Sequence, residues 1–287
     1  PMINMLEHRA VFTAFTIFTL SLSLFFSYLI INWLNADGII WFSGQIVGLG
    51  LMAIVALIYF VKNIENKFSI SIAHGTVTRE NLKHILLFAL PLSVGVLFLW
   101  MQNQSYRLII EKYIGAEFLG YFGVGMAIAI AISSSFETIV MQFLYPKMYK
   151  HMNDEIQFKV IFSNIINLIL PIYFLLAIFI SFLAMYLMTI LVDTKYSSSY
   201  IFVIFGIWVE FFRMASNLIS AIAHSKMQTK TLIFPYAVGG IFVAVGTYLV
   251  SQKQNYELLI PAVLIAGGIL TFWQMLRKMN ILINFDL

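Results

Sequence analysis

The sequence contains no cysteine and few charged residues, and both features narrow what the chain can be. Without cysteine it has no disulfide, no thiolate metal ligand and no thiol nucleophile. Only 10% of the 287 residues are charged and 61% are hydrophobic, whereas soluble domains carry about 25% charged and roughly 45–50% apolar residues. A water-soluble fold could not bury so much apolar surface. The sequence therefore predicts an integral membrane protein.

The apolar residues form long continuous runs. A transmembrane helix needs about 20 such residues, whereas a strand of a membrane barrel needs an alternating segment of about 10. Only the long runs are present. We therefore predict an all-α integral membrane protein, a polytopic helical bundle with about eight transmembrane helices. The predicted spans are residues 10–34, 39–61, 84–110, 118–145, 160–191, 200–223, 231–250 and 257–276.

Lysine and arginine residues predict the orientation of these helices. Of the 17 in the sequence, twelve fall in one set of alternate loops and near the termini. The opposite loops contain only Lys112, Lys195 and Lys253. Because cytoplasmic loops are enriched in positive charge, both termini are predicted to be cytoplasmic.

No pattern in the sequence indicates an enzyme. Nucleophile–base pairs, metal-ligand spacings and phosphate-binding loops are missing, and the glycines at 120, 123 and 125 do not follow a strand as a dinucleotide motif requires. The predicted outer loops are too short for an external catalytic domain. We therefore expect no catalytic residue, no metal site, no cofactor and no nucleic-acid partner.

The sixth predicted span contains charged residues deep in the membrane. Glu210 lies about ten residues from the outer start of the span, or roughly 15 Å. A charge at that depth costs about 2.5–3.5 kcal/mol on insertion scales, so it usually faces a partner or a wet cavity. Glu210, Arg213 and Asn217 share one helix face, which continues to Ser220 and His224. Two interpretations remain: an internal ion pair between helices, or a polar stripe that lines a cavity.

The fourth predicted span also contains a carboxylate. Glu137 lies inside a long apolar run, toward the predicted cytoplasmic side. It can pair with Arg213, accept a coupling cation, or stay protonated. The serines at 133–135 fit either a cavity wall or ordinary helix packing.

The stretch NQSYRLIIEKYIGAEFLGYFGVG, residues 103–125, is unusually polar at its start. Asn103, Arg107 and Glu111 share a helix face, with Gln104 beside them. Counted from Ile85, Arg107 lies about 33 Å along the third span. This depth favours an interfacial, snorkelling arginine at a wet helix end.

The segment from about 82 to 150 resembles the start of the second half of the polysaccharide (O-antigen-type) flippases, of the multidrug/oligosaccharidyl-lipid/polysaccharide exporter superfamily. The resemblance is carried by "FALPL" at a helix start, by "YRLIIEKYIGAEFLGYFGVG" and by the span end "LYPKMYK". The other helices agree with that family in number and spacing.

The resemblance implies two six-helix bundles around a central cavity. Residues 1–61 would be the last two helices of an N-terminal bundle, residues 62–83 a cytoplasmic linker, and residues 84–287 a C-terminal six-helix bundle. Only two spans precede the linker, so we expect the chain to lack about four N-terminal helices of the family.

The resemblance further implies a flippase that moves an undecaprenyl-pyrophosphate-linked oligosaccharide, an O-antigen or capsular repeat unit, across the bacterial cytoplasmic (inner) membrane by alternating access. Its partners would be that lipid-linked oligosaccharide, membrane lipids and other membrane proteins of polysaccharide assembly. Arg213 and Arg107 are predicted to bind the anionic headgroup, and Gln104, Asn103 and Asn217 the sugars. Glu210 and Glu137 would hold the arginines or bind a coupling proton or sodium ion.

Other functions stay open. A cation-coupled multidrug exporter of the same superfamily would need a cavity dominated by carboxylates, whereas here arginines accompany the acids. The lipid II flippase branch of the superfamily also fits. A membrane polysaccharide polymerase or glycosyltransferase would be expected to show a large polar external loop, and the sequence has none.

Overall fold

A computed structural model describes residues 9–33, 38–63, 78–150, 154–253 and 255–283. All regular structure in these ranges is helical, which confirms the predicted fold class. The helices are α1 (Arg9–Trp33), α2 (Gly38–Asn63), α3 (Arg79–Tyr113), α4 (Ala116–Lys150), α5 (Glu155–Leu191), α6 (Tyr200–Ser225), α7 (Lys230–Ser251) and α8 (Tyr256–Ile283), with a short 3₁₀ helix at Thr194–Ser199.

Eight helices of the described chain are long and apolar enough to cross a membrane, and each corresponds to one predicted span. The largest differences are at helix ends: α3 begins at Arg79 and not at 84, and α8 continues to Ile283. Hydropathy detects only the part of a helix that crosses the hydrocarbon, whereas the helix itself continues into water. Thr78 caps α3, because its hydroxyl accepts a hydrogen bond from the Asn81 N–H at 3.3 Å. Residues 64–77 of the predicted linker lie outside the described residues.

The chain divides into two compact units, Pro1–Leu82 and Lys83–Leu287. In the first unit, α1 and α2 pack through small residues. Gly44 and Gly48 of α2 lie directly against the backbone of Ser27 and Ser23 of α1. The Ser27 hydroxyl also donates a hydrogen bond to the Trp41 carbonyl at 3.0 Å. Small side chains allow this close approach between membrane helices.

The second unit has α6 at its centre. This helix packs against α4, α5 and α8, while α7 packs mainly on α8. About 50% of its most apolar stretch is buried inside the protein, a larger share than in any other candidate span. The buried polar residues of α6 include Glu210, Ser216 and Ser220.

Glycine allows close contact between α4 and the start of α6. A Cβ at Gly125 would lie 2.6 Å from the Cβ of Phe202 and 2.8 Å from the Ser199 carbonyl oxygen. Gly120, on the same helix, has nothing within 4 Å of its Cβ position.

We predict that Gly125→Ala lowers the free energy of unfolding by about 1–3 kcal/mol, since overpacking forces the backbones apart. The matched variant Gly120→Ala should be neutral, or more stable by roughly 0.5–1 kcal/mol through its better helix propensity. Thermal unfolding of both purified variants in one detergent measures the difference. Equal midpoints would contradict the packing of α4 on α6.

Candidate functional site

Arg213 joins two carboxylates on two helices. Its Nε donates to Glu210 Oε2 at 2.7 Å, one turn earlier on α6. A terminal nitrogen of the same guanidinium contacts Glu137 Oε2 on α4 at 2.8 Å. Glu210 is only 4% exposed. One guanidinium thus serves both acids, which explains how these charges are accommodated inside the protein, where an unpaired charge costs several kcal/mol.

Asn217 extends this cluster. Its side-chain N–H donates to Glu137 Oε1 at 2.8 Å, so each oxygen of that carboxylate has a partner. Ser220, the next residue of the predicted stripe, donates instead to the Asn217 carbonyl of its own helix. The ion pair between helices is therefore present, and of the predicted stripe Glu210 and Arg213 also line the cavity described next.

A cavity of about 160 Å³ opens beside the charged cluster. Four helices of the second unit form it. Its polar wall combines carboxamides and a phenol from α3 with two charged groups from α6, and its apolar wall comes from α4, α6 and α8. The lining residues are Gln102, Asn103, Gln104, Tyr106, Met126, Ile130, Val209, Glu210, Arg213, Leu264 and Gly268.

The cavity shows that the polar part of α3 is more than a wet helix end. Helix α3 has 35 residues and ends at Tyr113. Gln104 lies nine residues before that end (113 − 104), or about 14 Å. Glu210 lies ten residues after the start of α6 at Tyr200 (210 − 200), or about 15 Å. The count from Ile85 predicts an interfacial position for Arg107, whereas Gln104 and Glu210, counted from Tyr113 and Tyr200, lie at one level.

Two features fix α3 in this position. Gly115 allows the tight turn into α4: its φ of +125° suits glycine alone, and its N–H donates to the Ile110 carbonyl at 2.9 Å. Deeper in the bundle, the Thr271 hydroxyl of α8 donates to the Gln102 side-chain oxygen at 3.1 Å. Gly239 of α7 leaves room for this contact, because a Cβ there would strike both side chains.

The structure brings together six of the seven predicted site residues. Asn103, Gln104, Glu210 and Arg213 line the cavity, and Glu137 and Asn217 join it through the hydrogen bonds of the cluster. Arg107 does not line the cavity. Its Nε donates weakly, at 3.3 Å, to the hydroxyl of Tyr106, which does. That these residues bind substrate stays a prediction.

Sequence reasoning missed two polar residues of the wall. Gln102 adjoins the predicted pair Asn103 and Gln104, so three consecutive carboxamides were the available signal. Tyr106 is only 3% exposed, and it lies between Ser105 and Arg107 in the polar stretch already singled out, so its position there was the available signal.

Comparison with known proteins gives one match. Residues 49–201, just over half of the chain, match a family model described as polysaccharide biosynthesis protein. The matched range includes Glu137 and all of α3 and ends before Glu210 and Arg213. No curated protein and no solved structure matches the chain.

We predict that Arg213→Met lowers the free energy of unfolding by about 3–5 kcal/mol, because two enclosed carboxylates lose their shared counter-charge. Adding Glu137→Gln and Glu210→Gln to this variant should restore part of the stability. The matched control is Arg277→Met, since Arg277 is exposed and lies 4.9 Å from the ring centroid of Trp273; its loss should cost about 1 kcal/mol or less. Thermal unfolding in detergent is the measurement. An Arg213→Met protein as stable as the control would rule out the ion pairs.

Proposed function

The chain belongs to the polysaccharide biosynthesis protein family, and from this premise we propose that it moves a lipid-linked oligosaccharide across a membrane. The observation that carries the proposal is a polar cavity inside a bundle of membrane-spanning helices. The substrate class is an undecaprenyl-pyrophosphate-linked repeat unit, moved from the inner to the outer leaflet of the bacterial cytoplasmic membrane by alternating access.

Translocation of a glycan lipid requires that a hydrophilic glycan enter the hydrocarbon region, and the polar lining of the cavity suits this step. Side chains of Asn103 and Gln104 offer both hydrogen-bond donors and acceptors to hydroxyl groups. The polyprenyl tail needs no protein pathway, because it can stay dissolved in the bilayer. A polar cavity and a lipid-facing exterior are therefore both parts of the proposed path.

Arg107 is the residue that we assign to the pyrophosphate. In the described part of the chain the ion pairs involve Arg213, and none involves Arg107. Its guanidinium lies 5.8 Å from the ring centroid of Tyr106, at the edge of the cavity. Arginine binds phosphate oxygens with charge-assisted, often paired hydrogen bonds. A pyrophosphate at Arg107 would leave the attached sugars within reach of the cavity.

One observation favours a second candidate. The cluster has two carboxylates, Glu137 and Glu210, for one arginine, and an excess of acid suits a cation-coupled exporter of cationic drugs. The family match favours the glycan lipid. Transport of a cationic dye but not of a glycan lipid would support the exporter.

We predict that the full-length protein restores surface polysaccharide to a flippase-deficient bacterial strain. In proteoliposomes, Arg107→Ala should slow translocation of a fluorescent lipid-pyrophosphate oligosaccharide about tenfold or more, since a hydrogen bond to a charged group contributes about 1.5–3 kcal/mol. Arg107→Lys should recover part of the rate.

The matched control is Lys112→Ala, an exposed cation five residues further along α3 that should retain the wild-type rate. A wild-type rate for Arg107→Ala would refute the assignment of Arg107. The absence of any glycan-lipid movement by the wild-type protein would refute the proposed function.

A further inference from the structure

We propose that the cavity is a subsite for a sugar ring without negative charge, and that acidic sugars and the pyrophosphate itself are excluded from it. The inference rests on the proposed function, which identifies the ligand as a lipid-linked oligosaccharide. It assigns one uncharged sugar ring of that ligand to the cavity.

The charge of the cavity is the first argument. Glu210 and Arg213 are the charged residues of its lining, and Arg213 is already shared between Glu210 and Glu137. With all three groups ionised, the cluster has a formal charge of −1. Both acids contact the guanidinium within 2.8 Å, so its positive charge is fully compensated. An anion that entered the cavity would meet a net negative charge between protein walls of low dielectric constant, where like charges repel more strongly than in bulk water.

The remaining polar groups give the second argument. Gln102, Asn103, Gln104 and Tyr106 are uncharged, and each can both donate and accept hydrogen bonds. Sugar hydroxyl groups have the same dual character. Anion sites are built differently, from unpaired arginines or from free N–H groups at helix N-termini. The polar residues here lie inside α3 and α6, where backbone N–H groups are already used in the helix.

The size of the cavity gives the third argument. A volume of about 160 Å³ corresponds to about five water molecules at their liquid share of roughly 30 Å³ each. That is the scale of one sugar ring and its hydroxyl groups, and it is too small for an oligosaccharide. Arg107 adjoins this space through Tyr106 without lining it. The anion and the neutral ring would therefore occupy adjacent, separate places.

The charge selectivity of the cavity can be tested without any transport. The 287 residues contain no cysteine, so Ile130→Cys would place the one thiol of this chain in the apolar wall of the cavity. Two methanethiosulfonate reagents of similar size, one with a trimethylammonium group and one with a sulfonate, would be compared. Each labelling rate is divided by the rate of that reagent with 2-mercaptoethanol.

The matched control is Ser198→Cys, at an exposed serine in the 3₁₀ helix where Asp193 and Lys195 balance each other. We expect the ratio of cationic to anionic labelling to be about tenfold or more higher at position 130 than at position 198. A neutral disaccharide should slow labelling at position 130 only. Equal ratios, a preference for the sulfonate, or no labelling at position 130 by either reagent would overturn the proposal, because a sugar subsite must open to water.

A transport measurement separates this inference from the proposed function. Two lipid-pyrophosphate disaccharides would be compared in proteoliposomes, identical except that a terminal hexose is replaced by the corresponding uronic acid. We expect the neutral substrate to move about tenfold faster or more. Equal rates, or a faster acidic substrate, would overturn the subsite and leave the flippase function standing. Movement of neither substrate would refute the flippase function, while the labelling ratio would still report on the charge of the cavity.

Discussion

The shared contact of Arg213 with Glu210 and Glu137 is the constraint on which the second unit depends. A guanidinium inside a membrane protein requires a counter-charge, and two carboxylates at 2.7 and 2.8 Å provide it from two helices. Because Asn217 holds the other oxygen of Glu137, α4 and α6 have one favourable relative position. Polar contacts thus align the central helix of the bundle.

The same contact determines the chemistry of the space beside it. An arginine that is already neutralised adds polarity to the cavity without adding positive charge. In the proposed function, the carboxamides of α3 recognise the sugar there, because they form hydrogen bonds but attract no anion. In the proposed function, phosphate is attracted by Arg107, which lies outside the lining and has no acid partner among the described ion pairs. The proposed separation of a cavity without net positive charge from a cationic residue matches the two chemical parts of a glycan lipid.

The positions of the helices could be predicted from the sequence, because membrane helices satisfy their own backbone hydrogen bonds and so appear as long apolar runs. All eight predicted spans correspond to helices, with differences only at their ends. The pairing of Glu210 with Arg213 also followed from spacing, since residues three apart lie on one face of a helix. Gln102 and Tyr106 were missed although they adjoin the predicted residues Asn103, Gln104 and Arg107, because the neighbouring helices decide which side chains of a polar stretch line a cavity.

The sequence by itself determined which segments cross the membrane and which residues share a face of one helix, because both properties are local. Only the tertiary structure decided which faces meet. Glu137 and Asn217 are 80 residues apart, and Gln102 and Thr271 are 169 residues apart, yet each pair forms a hydrogen bond. The position of α3 along the axis of α6 also depends on contacts between residues that are distant in the sequence. Hydrophobic periodicity indicates which face of a helix points inward. Which helices are its neighbours, and how far it is shifted along them, follows from close packing at glycines such as Gly125 and Gly239 and from the pairing of enclosed charges.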